Sequence, residues 1–204
     1  MQNRFYLIYG KRIFDLLFTI IGLPFLLPFW GIIALIIKIQ DGGSVFFVQK
    51  RIGYKGKPFF IYKFRTMIVD ADKKGGLLTV GKDSRITKVG RILRKYKLDE
   101  FPQLINVLKG EMSLVGPRPE VEKYVNLYTT EQRKVLELLP GITDPASIKY
   151  VDENEVLEKA EDPERVYIEK IMPEKIKLNL EYAKNATVIT DFMVIIKTLF
   201  EIIK

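Results

Sequence analysis

Two adjacent acids, Asp99 and Glu100, are the side chains best placed to do chemistry. They precede an apolar stretch, residues 101–108, that reads as a short helix stopped by Lys109-Gly110. A helix start offers free backbone N–H groups and the positive end of its dipole, both of which favour anions. Taken alone, the pair is better explained as an N-cap and a first-turn acid. Pro102, three residues after Asp99, removes the capping box that would complete that explanation. Basic residues near the ends of neighbouring elements shift the balance towards a site: Lys63, Arg65, Arg94 and Arg118. Lys63 and Arg65 alternate onto one face of a strand expected over residues 59–65, as a merely solvated face also would. Arg118 stands between Pro117 and Pro119, which stiffen the backbone on both sides. A rigid five-donor fork suits a diphosphate, and an arginine in a tight surface turn has the same pattern.

Composition narrows the chemistry further. The chain has no cysteine and no histidine, which excludes disulfides, thiol nucleophiles, zinc clusters and imidazole bases. A catalytic metal would be a hard cation held by carboxylates and substrate phosphates, Mg²⁺ first among them. A side-chain nucleophile would be Asp, Glu, Ser, Thr, Tyr or Lys. The net charge is +8, and residues 1–65, with ten basic and two acidic side chains, hold all of the excess. That excess flanks the most apolar segment and fits attraction to anionic lipid. Nucleic-acid binding would spread basic and aromatic residues over a folded face.

The elements that must position these residues begin with that apolar segment. Residues 16–37 carry no charge, a length sufficient to span a bilayer, for which ~20 apolar residues suffice. A cleaved signal peptide has a shorter apolar core and a small-residue cleavage site. Pro24 and Pro28, with Gly22 before them, interrupt the run, and each removes a backbone donor. Lys11 and Arg12 precede it; Lys38, Lys50 and Arg51 follow. Basic flanks on both sides favour a re-entrant helix broken at the prolines, with arms over residues 13–23 and 29–37, each roughly 15 Å long. A single kinked spanning helix is the alternative.

Beyond it, residues 45–49 and 59–65 read as strands around a Gly53/Gly56 turn, and residues 70–84 as a polar loop. Residues 86–96 are helix-compatible, 112–115 short and apolar, and 120–139 helical in period. Residues 150–184 are charged and helical, interrupted by Pro163 and Pro173; residues 188–204 form an apolar helix, suited to a core or to a membrane interface. The expectation is one domain of the α/β class with irregular α+β architecture, residues 1–40 at the membrane and 41–204 catalytic.

The segments Arg51-Ile-Gly53, Tyr62-Lys-Phe-Arg-Thr-Met67, Arg91 to Leu104, Asn106-Val-Leu-Lys-Gly110 and Met112-Ser-Leu-Val-Gly-Pro-Arg-Pro119 carry a resemblance. The chain resembles the bacterial sugar transferases, monotopic polyprenol-phosphate phosphoglycosyl transferases, over nearly its whole length and in their minimal catalytic form. The resemblance implies a re-entrant helix in the cytoplasmic leaflet of the bacterial inner membrane. It implies an aspartate-glutamate dyad on Asp99 and Glu100: the aspartate attacks a UDP-sugar, giving a phosphosugar–aspartyl intermediate and UMP, and the glutamate helps hold Mg²⁺. Lys63, Arg94 and Arg118 match the family's phosphate site, and Asp191 a late acidic position. Asp144-Pro145-Ala146-Ser147 departs from the G-x-A-Q that many members carry. The partners implied are a UDP-sugar, polyprenol (undecaprenyl) phosphate and membrane lipid, without nucleic acid; a homo-oligomer is left open. Rival readings are a non-catalytic lipid-binding adaptor and a phosphohydrolase using the same carboxylates.

Overall fold

A computed structural model describes residues 5–71, 81 and 83–203. The chain opens with a π-helical turn, Tyr6–Gly10, that runs into α1, Lys11–Asp41. A hairpin follows, β1 (Phe46–Ile52) and β2 (Pro58–Phe64), antiparallel with Phe47 opposite Lys63. Then come α2 (Lys88–Lys95), a 3₁₀ segment Leu98–Gln103, α3 (Leu104–Lys109) and β3 (Ser113–Val115). After α4 (Glu122–Val125) and a 3₁₀ segment Gln132–Glu137, β4 (Gly141–Thr143) pairs in parallel with β3. The remainder is helical: α5 (Pro145–Lys149), α6 (Glu153–Glu158), α7 (Pro163–Val166), a π turn Tyr167–Ile171, α8 (Met172–Lys184) and α9 (Val188–Ile203). The mixed α+β expectation is met, with two small two-stranded sheets among many helices. Most of the loop expected over residues 70–84 lies outside the described residues.

The apolar segment differs from expectation in one respect. Helix α1 is continuous, with both Pro24 and Pro28 inside it, so the two arms are joined rather than separated by a non-helical break. The spacing explains why. Each proline removes the bond to the carbonyl four residues earlier, so the losses fall on Ile20 and Pro24, one above the other on a single edge. The rest of the ladder carries the helix through.

One stripe of α1 is buried: Lys11, Phe14, Asp15, Thr19, Trp30 and Ile37, with Leu23, Leu26 and Ile33 half-buried, at the three- and four-residue spacing of a helix face. The opposite face is apolar and bare; Phe25 is 73% exposed and Ile39 74%. The domain holds the buried stripe along its length. Arg12 Nη2 donates to the Leu108 carbonyl at 2.9 Å, placing a cation at the C-terminal end of α3 where the helix dipole favours it. Asp15 Oδ1 accepts from Leu114 N at 2.9 Å and Ser113 Oγ at 3.0 Å. Trp30 meets Phe64 edge-on, with ring centres 6.0 Å apart, and Ile37 packs with Phe64, Leu93 and Leu104. At the far end Asp41 pairs with Arg65.

The helix expected over residues 120–139 is not formed as one element. Thr129 and Gln132 make a capping box, Gln132 N to Thr129 Oγ1 at 3.2 Å and Thr129 N to Gln132 Oε1 at 2.8 Å, which ends one helical segment and starts another. Tyr124, Tyr128, Tyr167, Ile171 and Ile176 fill the core beneath this region.

Strands β3 and β4 approach unusually closely at their ends. A Cβ on Gly141 would lie 2.1 Å from Gly116 N, and one on Gly116 would lie 2.4 Å from the Leu139 carbonyl oxygen. Gly116 N donates to Thr143 O at 2.9 Å, and Gly141 N to Pro117 O at 3.0 Å, so the chain entering Arg118 is clamped from both sides. Backbone atoms cannot step aside as a side chain can. Gly141→Ala is therefore expected to destabilise the protein by about 3 kcal/mol, the upper end of overpacking costs, read as a lowered midpoint in detergent-solubilised denaturation.

Candidate active site

Asp99 and Glu100 lie in the 3₁₀ segment Leu98–Gln103, which Lys97 initiates from a left-handed conformation (φ 53°). The segment leads directly into α3. Neither acid caps it: the N-cap position belongs to Lys97, and no side chain hydrogen-bonds there. Both are buried, at 7% and 6% exposure, where a first-turn surface acid would be bare. The ordinary helix-start explanation therefore fails.

The two acids are treated differently. Glu100 Oε1 accepts from Lys63 Nζ at 2.7 Å, and Arg118 grips the same carboxylate with both terminal nitrogens, Nη1 to Oε2 at 3.0 Å and Nη2 to Oε1. Strand β2 supplies Lys63 and the clamped Gly-Pro-Arg-Pro turn supplies Arg118, so three elements meet on one carboxylate. Burial alone would push Glu100 up, but the charges of Arg118 and Lys63, with the Arg118 hydrogen bond, hold it well below the ordinary carboxylate range. Asp99 goes the other way, raised by burial and by the negative charge of Glu100. Among the described residues no hydrogen bond or ion pair occupies its carboxylate. Lys63, Arg94 and Lys97 act on it through space only.

Arg94 is carried by α2 and braced by its Nε donating to Thr66 Oγ1 at 2.8 Å. Helix α2 reaches this position because Gly90 lies against the Thr66 carbonyl, where a Cβ would come to 2.0 Å of its oxygen. Burial lowers the pKa of both Lys63 and Arg94, and the charge of Glu100 raises that of Arg118. Arg51, on β1, adds a further cation that was not among the expected site residues. It donates to the Pro119 carbonyl at 3.2 Å and lies 3.7 Å from Glu120 Oε2, beside the Arg118 turn. Its only sequence signal is the Arg51-Ile-Gly53 motif.

Two expected substrate-binding residues are not brought to this cluster. Arg65 lies one residue past β2, its N–H still donating to the Val45 carbonyl at 2.9 Å. Its guanidinium forms a bidentate pair with Asp41, Nη1 to Oδ2 at 2.6 Å, and its Nε donates to the Ser44 carbonyl. Asp191, on α9, is fully buried and accepts from Lys11 Nζ at 2.5 Å, Tyr6 OH at 2.8 Å and Tyr182 OH. It closes a polar cluster that ties α9 to the start of α1. The departing segment Asp144-Pro145-Ala146-Ser147 forms the start of α5, with Asp144 as N-cap accepting from Ser147 N at 2.8 Å and Pro145 in the first turn.

The donor set fits a hard divalent cation in one form only. No group of three or more potential ligands occurs among the described residues, so an all-protein cage is absent from them. Asp99 and Glu100 are the carboxylates that would contribute to a Mg²⁺ shell alongside substrate phosphates and water, although in this structure both Glu100 oxygens accept from Lys63 and Arg118.

A sequence profile described as bacterial sugar transferase matches residues 6–204. The chain is 49% identical over 142 residues to the uncharacterized sugar transferase EpsL of Bacillus subtilis, covering 68% of this chain and 67% of that one. It is 34% identical over 194 residues to the Aeromonas hydrophila UDP-N-acetylgalactosamine-undecaprenyl-phosphate N-acetylgalactosaminephosphotransferase, covering 93% of this chain and 42% of the relative. It is 35% identical over 199 residues to the Escherichia coli UDP-glucose:undecaprenyl-phosphate glucose-1-phosphate transferase, covering 94% and 39% respectively.

The geometry around Glu100 makes a measurable demand on stability. Removing Arg118 leaves a buried carboxylate with Lys63 alone, and breaking buried pairs in this way costs about 3–5 kcal/mol. Arg118 is 33% exposed on its side chain, so Arg118→Met is expected to cost less, about 2 kcal/mol. Adding Glu100→Gln removes the stranded charge and should restore at least half of the loss in a double-mutant cycle of denaturation midpoints.

Proposed function

Because the chain belongs to the bacterial sugar transferase family, we propose that it moves a sugar 1-phosphate from a UDP-sugar to polyprenol phosphate at the cytoplasmic face of the inner membrane. This would be the first membrane step in building a bacterial glycoconjugate. The observation that carries the reading is the division of labour between two neighbouring carboxylates. Glu100 is locked in an ionic cradle by Lys63 and Arg118, while Asp99 is buried beside the same cations with no hydrogen bond or ion pair to its oxygens among the described residues.

Asp99 is the nucleophile. One of its oxygens attacks the phosphorus that carries the sugar. The bond from that phosphorus to the bridging oxygen breaks, and UMP leaves with the electron pair. In the second half-reaction an oxygen of polyprenol phosphate attacks the same phosphorus, the aspartyl bond breaks, and the carboxylate is regenerated. No proton need be gained or lost in sum, which suits a chain without histidine. The dominant requirement is neutralising the diphosphate's charge, and Lys63, Arg94 and Arg118 are the cations that would supply it. Mg²⁺, held by Asp99 and Glu100 with substrate oxygens, would add a further positive charge there.

A one-sided membrane arrangement is supported by what the helix touches. Both ends of α1, about 45 Å apart at 1.5 Å per residue, contact the same domain: Arg12 and Asp15 at one end, Asp41 at the other. A helix crossing the bilayer would carry one of those ends to the opposite side. The bare face of α1 is continued by α9, where Phe192 faces Phe18 at 6.5 Å between ring centres and Ile189 and Phe200 are exposed. We read this surface as lying in one leaflet, with the continuous helix α1 in contact with the domain at both ends.

With labelled UDP-sugar and no lipid acceptor, wild-type protein is expected to release UMP once and retain labelled sugar phosphate. Adding polyprenol phosphate should discharge it, and Asp99→Asn should never acquire it. UMP release that occurs only with the lipid present, with no adduct trapped, would replace the two-step mechanism by direct transfer. Chelation of divalent cations is expected to stop turnover and Mg²⁺ to restore it; full turnover in excess chelator would remove the metal. For topology, Asn3→Cys and Ser44→Cys, each a unique cysteine in this chain, should react with an impermeant reagent from the same side of sealed vesicles. Labelling from opposite sides would establish a spanning helix.

A further inference from the structure

Asn106, on α3, is fully buried, and every hydrogen bond of its side chain reaches outside its own helix. Its Nδ2 donates to the Phe60 carbonyl at 2.7 Å and to Glu111 Oε2 at 2.8 Å, and its Oδ1 accepts from Tyr62 N at 3.2 Å. Acceptors on one side and a donor on the other leave the amide a single orientation. In a two-stranded antiparallel sheet, every second residue of a strand turns its N–H and C=O away from its partner. Phe60 and Tyr62 are such residues of β2, and Asn106 takes one backbone group from each. One side chain thus covers an edge that would otherwise need a third strand.

The consequence falls on the next residue. Lys63 follows Tyr62, and its Nζ meets Glu100 Oε1 at 2.7 Å. Glu100 stands on the same continuous 3₁₀–α3 run as Asn106. Strand β2 is therefore joined to that run at two points, the charge pair in the site and the Asn106 amide. With the charge pair alone, the flexible lysine stem would let strand and carboxylate shift against each other. A backbone held by a short, buried amide does not allow this. Resting on the function proposed above, we propose that Asn106 is a positioning residue: it fixes β2 against the acidic pair so that Lys63 engages Glu100 and brings its charge to the phosphate beside Asp99.

The test is a rapid-quench measurement of the UMP burst from a UDP-sugar without lipid acceptor, on detergent-solubilised wild type and Asn106→Leu. Burst amplitude counts folded molecules, and burst rate reports the geometry they hold. Asn106→Leu is expected to slow the burst about tenfold or more. An unchanged rate, whatever the amplitude, would make Asn106 a purely structural residue and overturn the proposal. Should the leucine variant not fold, Asn106→Ser leaves room for water on the bared β2 groups and is expected to show the same slow burst. Amine acylation read residue by residue by mass spectrometry supplies a measurement that needs no turnover. Lys63 should react about tenfold faster in the variant while Lys11, buried in α1, stays protected. Equal increases at both lysines would report unfolding and overturn the proposal, as would an unchanged Lys63. A wild type that gives no burst would sink the proposed reaction, and faster acylation confined to Lys63 would still assign Asn106 the placing of that lysine.

Discussion

A carboxylate can be kept ionised inside a protein only if cations are brought to it, and Glu100 imposes that requirement on three separate parts of this chain. Its two oxygens are satisfied by Lys63 from β2 and by Arg118 from the Gly-Pro-Arg-Pro turn. Each donor needs its own support. The hairpin places Lys63, and the Gly116–Gly141 crossing fixes the turn that presents Arg118. Glu100 is thereby the point at which the hairpin, the 3₁₀ segment and the parallel strand pair are held in register. Asp99, one residue away, benefits from the same cations without being consumed by them.

The second polar cluster does similar work at the membrane side. Lysine and aspartate are costly inside an apolar helix, and α1 carries both near its start, fully turned inward. Lys11 is matched by Asp191, Tyr6 and Tyr182, and Asp15 by the backbone and hydroxyl at the start of β3. The consequence is directional: a helix whose outer face is uniformly apolar has one inward face defined by polar partners, so its rotation about its own axis is fixed. Burial of leucines alone would leave neighbouring rotations nearly equivalent.

What was legible in the sequence follows from how local each signal is. The hairpin was readable because two short strand-like runs, residues 45–49 and 59–65, flank Gly53 and Gly56, and α9 because its apolar run is long. The acidic pair, Lys63 and Arg118 could be named before their contact was known, since residue type and stiff flanking backbone are local. The parallel pairing of β3 and β4 was not readable, as three-residue strands far apart in sequence carry no period. Thr129-x-x-Gln132 carries the capping-box pattern inside a stretch whose apolar spacing runs across it. Nothing local shows that Arg65 and Asp191 pair with Asp41 and Lys11 rather than joining the Glu100 cluster. Asn106 stands in the Asn106-Val-Leu-Lys-Gly110 motif, and only the fold reveals that its amide meets the free edge of β2.

The hydrogen bond from Arg12 to the last carbonyls of α3 has a mechanical meaning. Helix α3, about 9 Å long, is continued backwards by the 3₁₀ segment bearing Asp99, so a short strut runs from the apolar helix to that carboxylate. The strut fixes the height of Asp99 relative to the lipid-facing surface of α1. If the bilayer thins or thickens, helix and carboxylate ride together. Under the proposed function, an acceptor confined to the plane of the membrane would have only two dimensions to search, because the third is set by the chain.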